Sequence, residues 1–564
     1  MKFKDYKYER CEVSEINKEC EIILNKLKEA SEYEEFKRVF TTFDQLQRHV
    51  ITMESLIHTR YTIDTEDSYL NEENEYWDEN SPLIAEAFNK IKKYILTSSF
   101  LGALSKELPE TYILSIKNEL RVFDEAIIPE LQEENKLVSS YQKLIASAQI
   151  PFMNETYTLA SLIAKVVDNK AEIREKSFKA YWNWYEENEE VIDTIYDKLV
   201  HVRDTMAKKL GFKDYVEMGY IRMNRFDYDR DDVANYRRQV LEDVVPVANR
   251  LYERQRERLG LDSLKCFDEK FEFASGNPAP KYPTGELVKR ANEMYHELSK
   301  PTGEFFDFMM ENELLDLDAK KGKASGGYCT CFLDYKSPFI FSNFNGTNDD
   351  VETLTHEAGH AFQVYSSMNI FPAECVWPTM ESAEIHSMSM EFLTWPWMKN
   401  FFEEDIDKFY FLHLGGAIKF IPYGILVDHY QHVVYENPNM SADERKKAWR
   451  DLEKQYLPHK NYDDCKFLEK GTWWFRQSHI FINPFYYVDY TLAQVCALQF
   501  WNRSYHKDET VFDDYYKICK LGGTKTFTKI VKAANLKVPF SDGCLKDVMK
   551  NANDYLNEIE DTKL

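Results

Sequence analysis

Glycine and proline are scarce, at 19 and 18 residues in a chain of 564, about half the roughly 12% that average usage would give. So few turn formers over such a length imply few turns and therefore long helices. No stretch reaches the ~18 uncharged apolar residues that a membrane-crossing helix needs. The nearest, 411–427, contains Lys419 and Pro422, so no membrane association is expected. Basic residues are in the minority, 71 Lys plus Arg against 96 Asp plus Glu, for a net charge of −25. With no basic patch visible, nucleic acid and anionic lipid are not expected partners. The ten cysteines form no paired framework, and the opening MKFKDYKYER has no apolar signal-like run. Together these read as free thiols in a cytoplasmic protein. Cys329 and Cys331 lie two apart, but no second pair joins them to make a cysteine zinc site. A GxSxG elbow and a Walker phosphate loop are also missing, which removes two large enzyme classes.

Aromatic residues are abundant, with 10 Trp, 36 Tyr and 37 Phe. Residues 14 to about 300 show apolar positions at three- and four-residue spacing with dense charge between them, as in 15–30, 159–188 and 231–260. Amphipathic helices need that pattern. The texture changes at 321–346, KGKASGGYCTCFLDYKSPFIFSNFNG, where four glycines punctuate two β-rich runs, 328–335 and 339–344. These predict a small sheet at about 326–345, joined by Lys336-Ser337-Pro338. Helical periodicity resumes at about 348 and continues to the end. No repeat and no linker is visible. The expected organisation is an N-terminal helical lobe over 1–195 and a catalytic lobe over 196–564.

One segment carries chemistry, NGTNDDVETLTHEAGHAFQVYSS at 345–367. Thr347, three before Asp350, resembles a capping box, and the acidic first turn suits the positive end of a helix. At 100° per residue, Val351, Leu354, Ala358, Phe362 and Tyr365 form one apolar stripe. His356 and His360 fall together on the other side, one turn apart, with Glu357 beside them. Two imidazoles at i and i+4 can both reach a tetrahedral zinc, and the adjacent glutamate can take a proton from water activated there. A third ligand is needed. His386 is one candidate, and the helix from about 379 supplies Glu381, Glu384 and Glu391. Geometry along one helix does not choose among them. Asp428, His429 and His432 form a second cluster with metal-ligating potential, better read as structural because no base-like glutamate accompanies it.

HEAGH, with a glutamate 24 residues beyond its second histidine and another seven later, resembles the thimet oligopeptidase/oligoendopeptidase F family of zinc peptidases. The stretches FSNFNGTNDDVETLTHEAGHAF, VDHYQHVVYENPNMSADERKKAW, YLPHKNYDD and RQSHIFINPFYYVDYTLAQVCALQFW look like its shorter bacterial members, and the likeness is carried by about 320–505. It implies His356, His360 and Glu384 as ligands of one Zn²⁺ per chain and Glu357 as catalytic base. Glu391 and Asp350 become candidate outer partners of those ligands. The implied fold is mainly α and zincin-like, with two helical lobes flanking a deep cleft and the small sheet next to the HExxH helix. The implied activity is internal cleavage of short, unfolded oligopeptides.

In GTWWFRQSHIFINPFYYVDYTLAQ, Asn483-Pro484 reads as a helix start. Tyr486, Tyr487 and Tyr490 then fall within one turn of each other. By resemblance, His479 and Tyr490 stabilise the oxyanion, while Tyr486 and Tyr487 contact substrate. The run 339–344, with Phe341 and Asn343, offers an edge on which a peptide backbone could pair. Two rival readings are a helical zinc carboxypeptidase sharing the HExxH core and a peptide-binding protein with a vestigial site.

Overall fold

The structure is a computed structural model that describes residues 1–564 apart from positions 321, 325 and 464, and apart from the side chains at 160 and 164. Helices dominate, as the shortage of turn formers requires. Their starts carry the expected chemistry: Asp229 with Asp232 and Ser441 with Glu444 close reciprocal capping boxes, each satisfying otherwise orphaned backbone donors.

The chain divides into two compact units, each assembled from three separate segments. The first comprises Met1–Leu120, Pro280–Phe401 and Lys507–Asn535; the second comprises Arg121–Ala279, Phe402–His506 and Leu536–Leu564. The boundary expected near 195 does not mark a division. It falls inside the helix Glu189–Lys209, whose Ile192, Tyr196, Leu199 and Val200 are buried. The physical reason is that the chain is continuous helix at this position, while the crossings between units occur elsewhere, as at 279/280 in a segment without helix.

In the first unit, helices Tyr33–Ile63 and Ser68–Thr97 bury Phe36, Phe40, Phe43, Trp77 and Ile91. The expected small sheet is present, with one strand more than predicted. Ser337–Phe344 is central, antiparallel to Tyr328–Phe332 and parallel to Leu315–Asp318. The hairpin turn falls before Ser337, with Lys336 at a φ of 47°. Pro338 sits within the strand opposite Cys331. It is tolerated because the parallel neighbour begins pairing only at Ile340, so no ladder bond is asked of its missing N–H there. The parallel strand escaped prediction because the four residues Leu315–Asp318 follow a helix with no turn cluster between.

The second unit is built on Ile406–Glu436, a 31-residue helix with Pro422 inside it. It is part of the one helical stretch among the described residues long and apolar enough, by length and composition, to cross a membrane, yet 67% of its apolar 18-residue window is buried inside the protein. A core helix has the same composition as a spanning one. A second small sheet, Ile150–Phe152 with Glu155–Tyr157, turns through Met153 and Asn154, both at positive φ.

Two buried arginines organise this unit. Arg203 donates to Glu134 (2.6 Å), to the Tyr435 hydroxyl (2.9 Å) and to the carbonyl of Phe481 (2.6 Å). Arg225 bonds the Phe485 carbonyl and the Asp489 carboxylate. Both guanidinium groups are buried; a carboxylate, a carbonyl and a hydroxyl take up the donors of Arg203, whereas Arg225 is bonded through Nη2 and lies 4.2 Å from the Tyr220 ring centre. These bonds pin residues 481–489 from behind.

The Asp428–His429–His432 cluster has a structural role. Arg237 pairs with Asp428 at 3.0 Å, Tyr220 shares a hydrogen bond with His432 Nε2 at 2.9 Å, and His429 Nδ1 bonds Tyr456 at 3.0 Å. Burial, with Arg237 next, lowers His429 to about 4 and holds His432 well below the usual range. His459, stacked 3.4 Å from Tyr252, is lowered by burial as well. A histidine whose folded pKa lies below its unfolded ~6.5 contributes stability above pH 6.5 and loses it as pH falls toward the folded value. The protein should therefore unfold at lower urea between pH 7 and pH 5. For His429, partly exposed, the loss at pH 5 is roughly 1–2 kcal/mol. Urea midpoints of wild type and His429→Gln at both pH values check this, and the variant should show the smaller pH dependence.

Candidate active site and metal-binding group

The HExxH helix spans Asp349–Ser367. Its cap differs from the expected box: Asn348 is the N-cap and makes no side-chain cap bond. Asp350 instead accepts from the backbone N–H groups of Asn345 (2.9 Å) and Gly346 (2.7 Å). Gly346, at a φ of 88°, folds the loop back so that its donors meet the carboxylate before any cap can form. Asp350 thus locks the strand-to-helix turn and touches no candidate ligand through these bonds. The predicted stripe is buried at Val351, Leu354, Ala358 and Phe362, with Phe362 against Phe305 (5.5 Å between rings).

The opposite face is buried as well. There Gly359 meets the helix Met380–Leu393, and a Cβ at 359 would stand 2.6 Å from the His386 carbonyl and 2.7 Å from Ser387 Cα. Only hydrogen allows that approach. It brings Glu384 across the two histidines, so that Oε2 lies 3.3 Å from His356 Nε2 and 3.4 Å from His360 Nε2. The donor atoms of His356, His360 and Glu384 all lie within 4.8 Å of one another. Among the described residues this is the group that could hold a metal ion.

The surroundings prepare these donors. His356 Nδ1 is 2.7 Å from Glu391 Oε1. The carboxylate accepts from Nδ1–H, which leaves the Nε2 lone pair directed at the group. Ser387 Oγ donates to Glu384 Oε2 at 2.9 Å. Burial disfavours the charged carboxylate of Glu384, yet His360 and His356 hold it well below its usual range, ionised. Two imidazole nitrogens and one carboxylate oxygen form a borderline donor set suited to Zn²⁺, short of the four ligands of a closed structural site.

The other candidates separate cleanly. His386 is buried with neither ring nitrogen hydrogen-bonded among the described residues, and burial lowers it to about 4. Glu381, on the same helix, is buried outside the converging group. Glu357 is 6% exposed, and its Oε2 has no hydrogen-bond partner among the described residues. Burial pushes its carboxyl up, against the pull of His356 and His360. Gly327 packs over it, the Cβ position there being 3.6 Å from Glu357 Oε1.

The strand expected to offer an edge does not. Ser337–Phe344 is paired on both sides over Ile340 and Phe341. Phe341 is buried under Tyr328 at 4.8 Å. Asn343 donates to the carbonyls of Ala324 and Gly326, both at 2.8 Å, holding the glycine-rich loop. Alternation predicted the strand but not its neighbours. The strand Tyr328–Phe332 pairs on one side only among the described residues.

In the second unit, the expected helix start at Asn483-Pro484 is displaced. Asn483 closes the short helix Ser478–Ile482, Phe485 takes a φ of 69°, and the long helix begins at Tyr487. Arg225 and Gln431 hold Phe485 by its carbonyl and N–H, overriding the local preference. The aromatic cluster forms nonetheless. The His479 ring lies 5.7, 5.0 and 5.9 Å from those of Tyr486, Tyr487 and Tyr490. Tyr423 donates to Gln477 Oε1 (2.7 Å), which orients its amide nitrogen onto His479 Nδ1 (2.8 Å). Nδ1 therefore accepts, and the ring proton sits on Nε2, where it can be donated. Gln477 was not singled out from sequence. Its only signal there is its place two residues before His479.

Comparisons with known proteins give the family of the chain. Residues 3–123 match the peptidase M3 N-terminal domain and residues 166–550 match peptidase family M3. A solved structure of PZ peptidase A with inhibitor 2 is 46% identical, covers all of both chains and superposes with a TM-score of 0.96. Oligopeptidase PepF of Bacillus subtilis (strain 168) is 21% identical over 81% of this chain and 72% of its own. An oligoendopeptidase F homolog of Borreliella burgdorferi is 22% identical over 70% and 69%. The chain belongs to peptidase family M3 and is a peptidase. Within that family it is of the oligoendopeptidase F type, as its motifs led one to expect.

Gly359→Ala tests the helix contact. The added methyl must push the two helices apart, costing about 1–3 kcal/mol and pulling Glu384 away from the histidines. Expected outcomes are a lowered melting temperature and a loss of bound metal in the purified protein. Ala at the exposed Gly102 position, where nothing lies within 4 Å, serves as the control.

Proposed function

We propose that the protein is a zinc-dependent endopeptidase that cuts internal bonds of short, unfolded oligopeptides in the cytoplasm. The observation that carries this reading is the convergence of His356, His360 and Glu384 with the buried carboxylate of Glu357 beside them. The names of the relatives, an oligopeptidase and an oligoendopeptidase F homolog, support oligopeptides as the substrate class. Ten free cysteines support a reducing compartment.

His356, His360 and Glu384 are the proposed metal ligands, one ion per chain. Zinc bound there supplies a Lewis acid for the scissile carbonyl and lowers the pKa of a water. Glu357 takes a proton from the attacking water and returns it to the leaving amine. Its burial raises its basicity, which suits that double role. Glu391 keeps the proton on His356 Nδ1 and so preserves the ligand's orientation. His479, its proton directed to Nε2 by Gln477, and Tyr490 are the proposed oxyanion donors. Tyr486 and Tyr487 are proposed to contact the substrate beside them. Backbone pairing with the peptide falls to the strand Tyr328–Phe332, whose first three residues are partly exposed, rather than to Phe341 and Asn343.

Mapping products from peptides of increasing length, with and without a chelator, tests the activity. Chelator-sensitive internal cuts confined to short peptides are expected. Single C-terminal residues would make it a carboxypeptidase, and no cleavage by zinc-loaded protein would make it a binding protein. Separately, Glu357→Gln should keep stoichiometric zinc while kcat falls by about 10²–10⁴. His360→Ala should lose metal and turnover together, as metal analysis beside the assay would read.

A further inference from the structure

The antiparallel ladder between Tyr328–Phe332 and Ser337–Phe344 ends at the pair Tyr328 and Phe341. Two residues further on in the same register, Asn343 stands opposite Gly326. There the backbone leaves the ladder, because Gly326 takes a φ of 96°, a conformation open to glycine. Packing does not hold it in place: nothing lies within 4 Å of where a Cβ at 326 would stand. Hydrogen bonds have that task instead. The carboxamide of Asn343 carries two N–H donors, and its nitrogen lies 2.8 Å from the carbonyl oxygens of both Ala324 and Gly326. The side chain thus replaces the ladder bonds that the turned backbone no longer makes.

Both flanks of this clasp are anchored independently. Upstream, the Thr65 N–H donates to the Gly322 carbonyl at 2.7 Å, and the Ala324 N–H donates to the Thr62 carbonyl at 2.8 Å. Lys323 lays its ammonium 4.5 Å from the Phe341 ring centre and bonds Asp316 Oδ1 at 2.6 Å and the Asp318 carbonyl at 2.9 Å. Downstream, Tyr328 stacks on Phe341 and shares a hydrogen bond with Thr62 at 2.6 Å. Between these anchors come Gly326 and Gly327. The Cβ position of Gly327 lies 3.4 Å from Thr353 Cγ2 and 3.6 Å from Glu357 Oε1, so what fixes Gly326 also fixes the backbone beside that carboxylate.

We propose that Asn343 is a positioning residue for the peptide: by fixing Gly326 and Gly327 it carries the pairing edge as far as Glu357 and sets which peptide bond comes to rest there. The inference rests on the functional reading above, in which the strand Tyr328–Phe332 pairs with the substrate backbone, and adds to it the origin of the register. Main-chain pairing gives affinity without choosing a register. A slip of one residue turns every side chain to the other face, and a slip of two restores the pattern. An edge with a fixed end beside the base removes that freedom. Asn343 acts through Gly326 and Gly327 and does not touch the reacting atoms.

The test maps the cuts in one short peptide by mass spectrometry, in wild type, Asn343→Asp and Asn343→Ala. Asp keeps the shape but has no donor at neutral pH, and Ala removes shape and donors together. Wild type should cut predominantly at one bond. In both variants the cuts should spread to neighbouring bonds. KM should rise by about three- to thirty-fold, the span of one to two neutral hydrogen bonds, with kcat changed less and zinc content unchanged. Hydrogen exchange reads the same contact without turnover, on Glu357→Gln, where the peptide stays whole. Its amides at 326–330 should gain protection when peptide binds, and adding Asn343→Asp should weaken that gain. Protection present and cuts unmoved in both variants would overturn the role of Asn343 alone. Loss of zinc or a lowered melting temperature in both would make the residue structural and overturn it too. Cleavage without any protection at 326–330 would refute strand pairing, and the proposal with it. Absence of cleavage would count against the enzyme reading, while the exchange comparison still judges Asn343.

Discussion

The closest approach between the HExxH helix and the helix Met380–Leu393, at Gly359, is the contact on which the rest of the site depends. With only a hydrogen at 359, the backbone of His386 and Ser387 comes near enough to bring Glu384 onto both imidazoles. Burying two histidines and two glutamates in an apolar interior is costly unless each is satisfied. Here Ser387 bonds Glu384 and Glu391 bonds His356, leaving the inner donors for a cation, while His360 Nδ1 has no partner among the described residues. Beside them, Glu357 Oε2 has no hydrogen-bond partner among the described residues. Burial pushes its carboxyl up, which is the condition the proposed base requires.

The second unit solves a related problem with arginines. Arg203 and Arg225 hold the segment 481–489 by its carbonyls and by Asp489. The backbone therefore takes a positive φ at Phe485, and three tyrosines gather round His479. The protonation of that histidine is set by a relay from Tyr423 through Gln477.

Much of this was legible in the sequence. The i and i+4 histidines, the apolar stripe beneath them and the adjacent glutamate follow from helical geometry alone. Family resemblance then pointed to Glu384 among four candidates, and the structure brings that residue to the histidines. Errors arose where a local preference met a stronger distant partner. Thr347 looked like a cap, but Asp350 was captured by the loop. Asn483 looked like a helix start, but Arg225 and Gln431 fixed Phe485 beyond it. Alternation predicted the strand Ser337–Phe344 without revealing that Leu315–Asp318 would cover its second edge.

By itself, then, the sequence determined the elements and the chemistry each one carries, because spacing along a single helix is set by covalent geometry. Only the tertiary structure decided which elements meet. It brought Glu384 rather than His386 or Glu381 to the histidines, made Ser337–Phe344 a central strand and divided the chain into two interleaved units. Each of these depends on the close packing of residues far apart in the chain. The contact of Gly359 with His386, which no periodicity encodes, is the smallest of them and the one on which the candidate metal group rests.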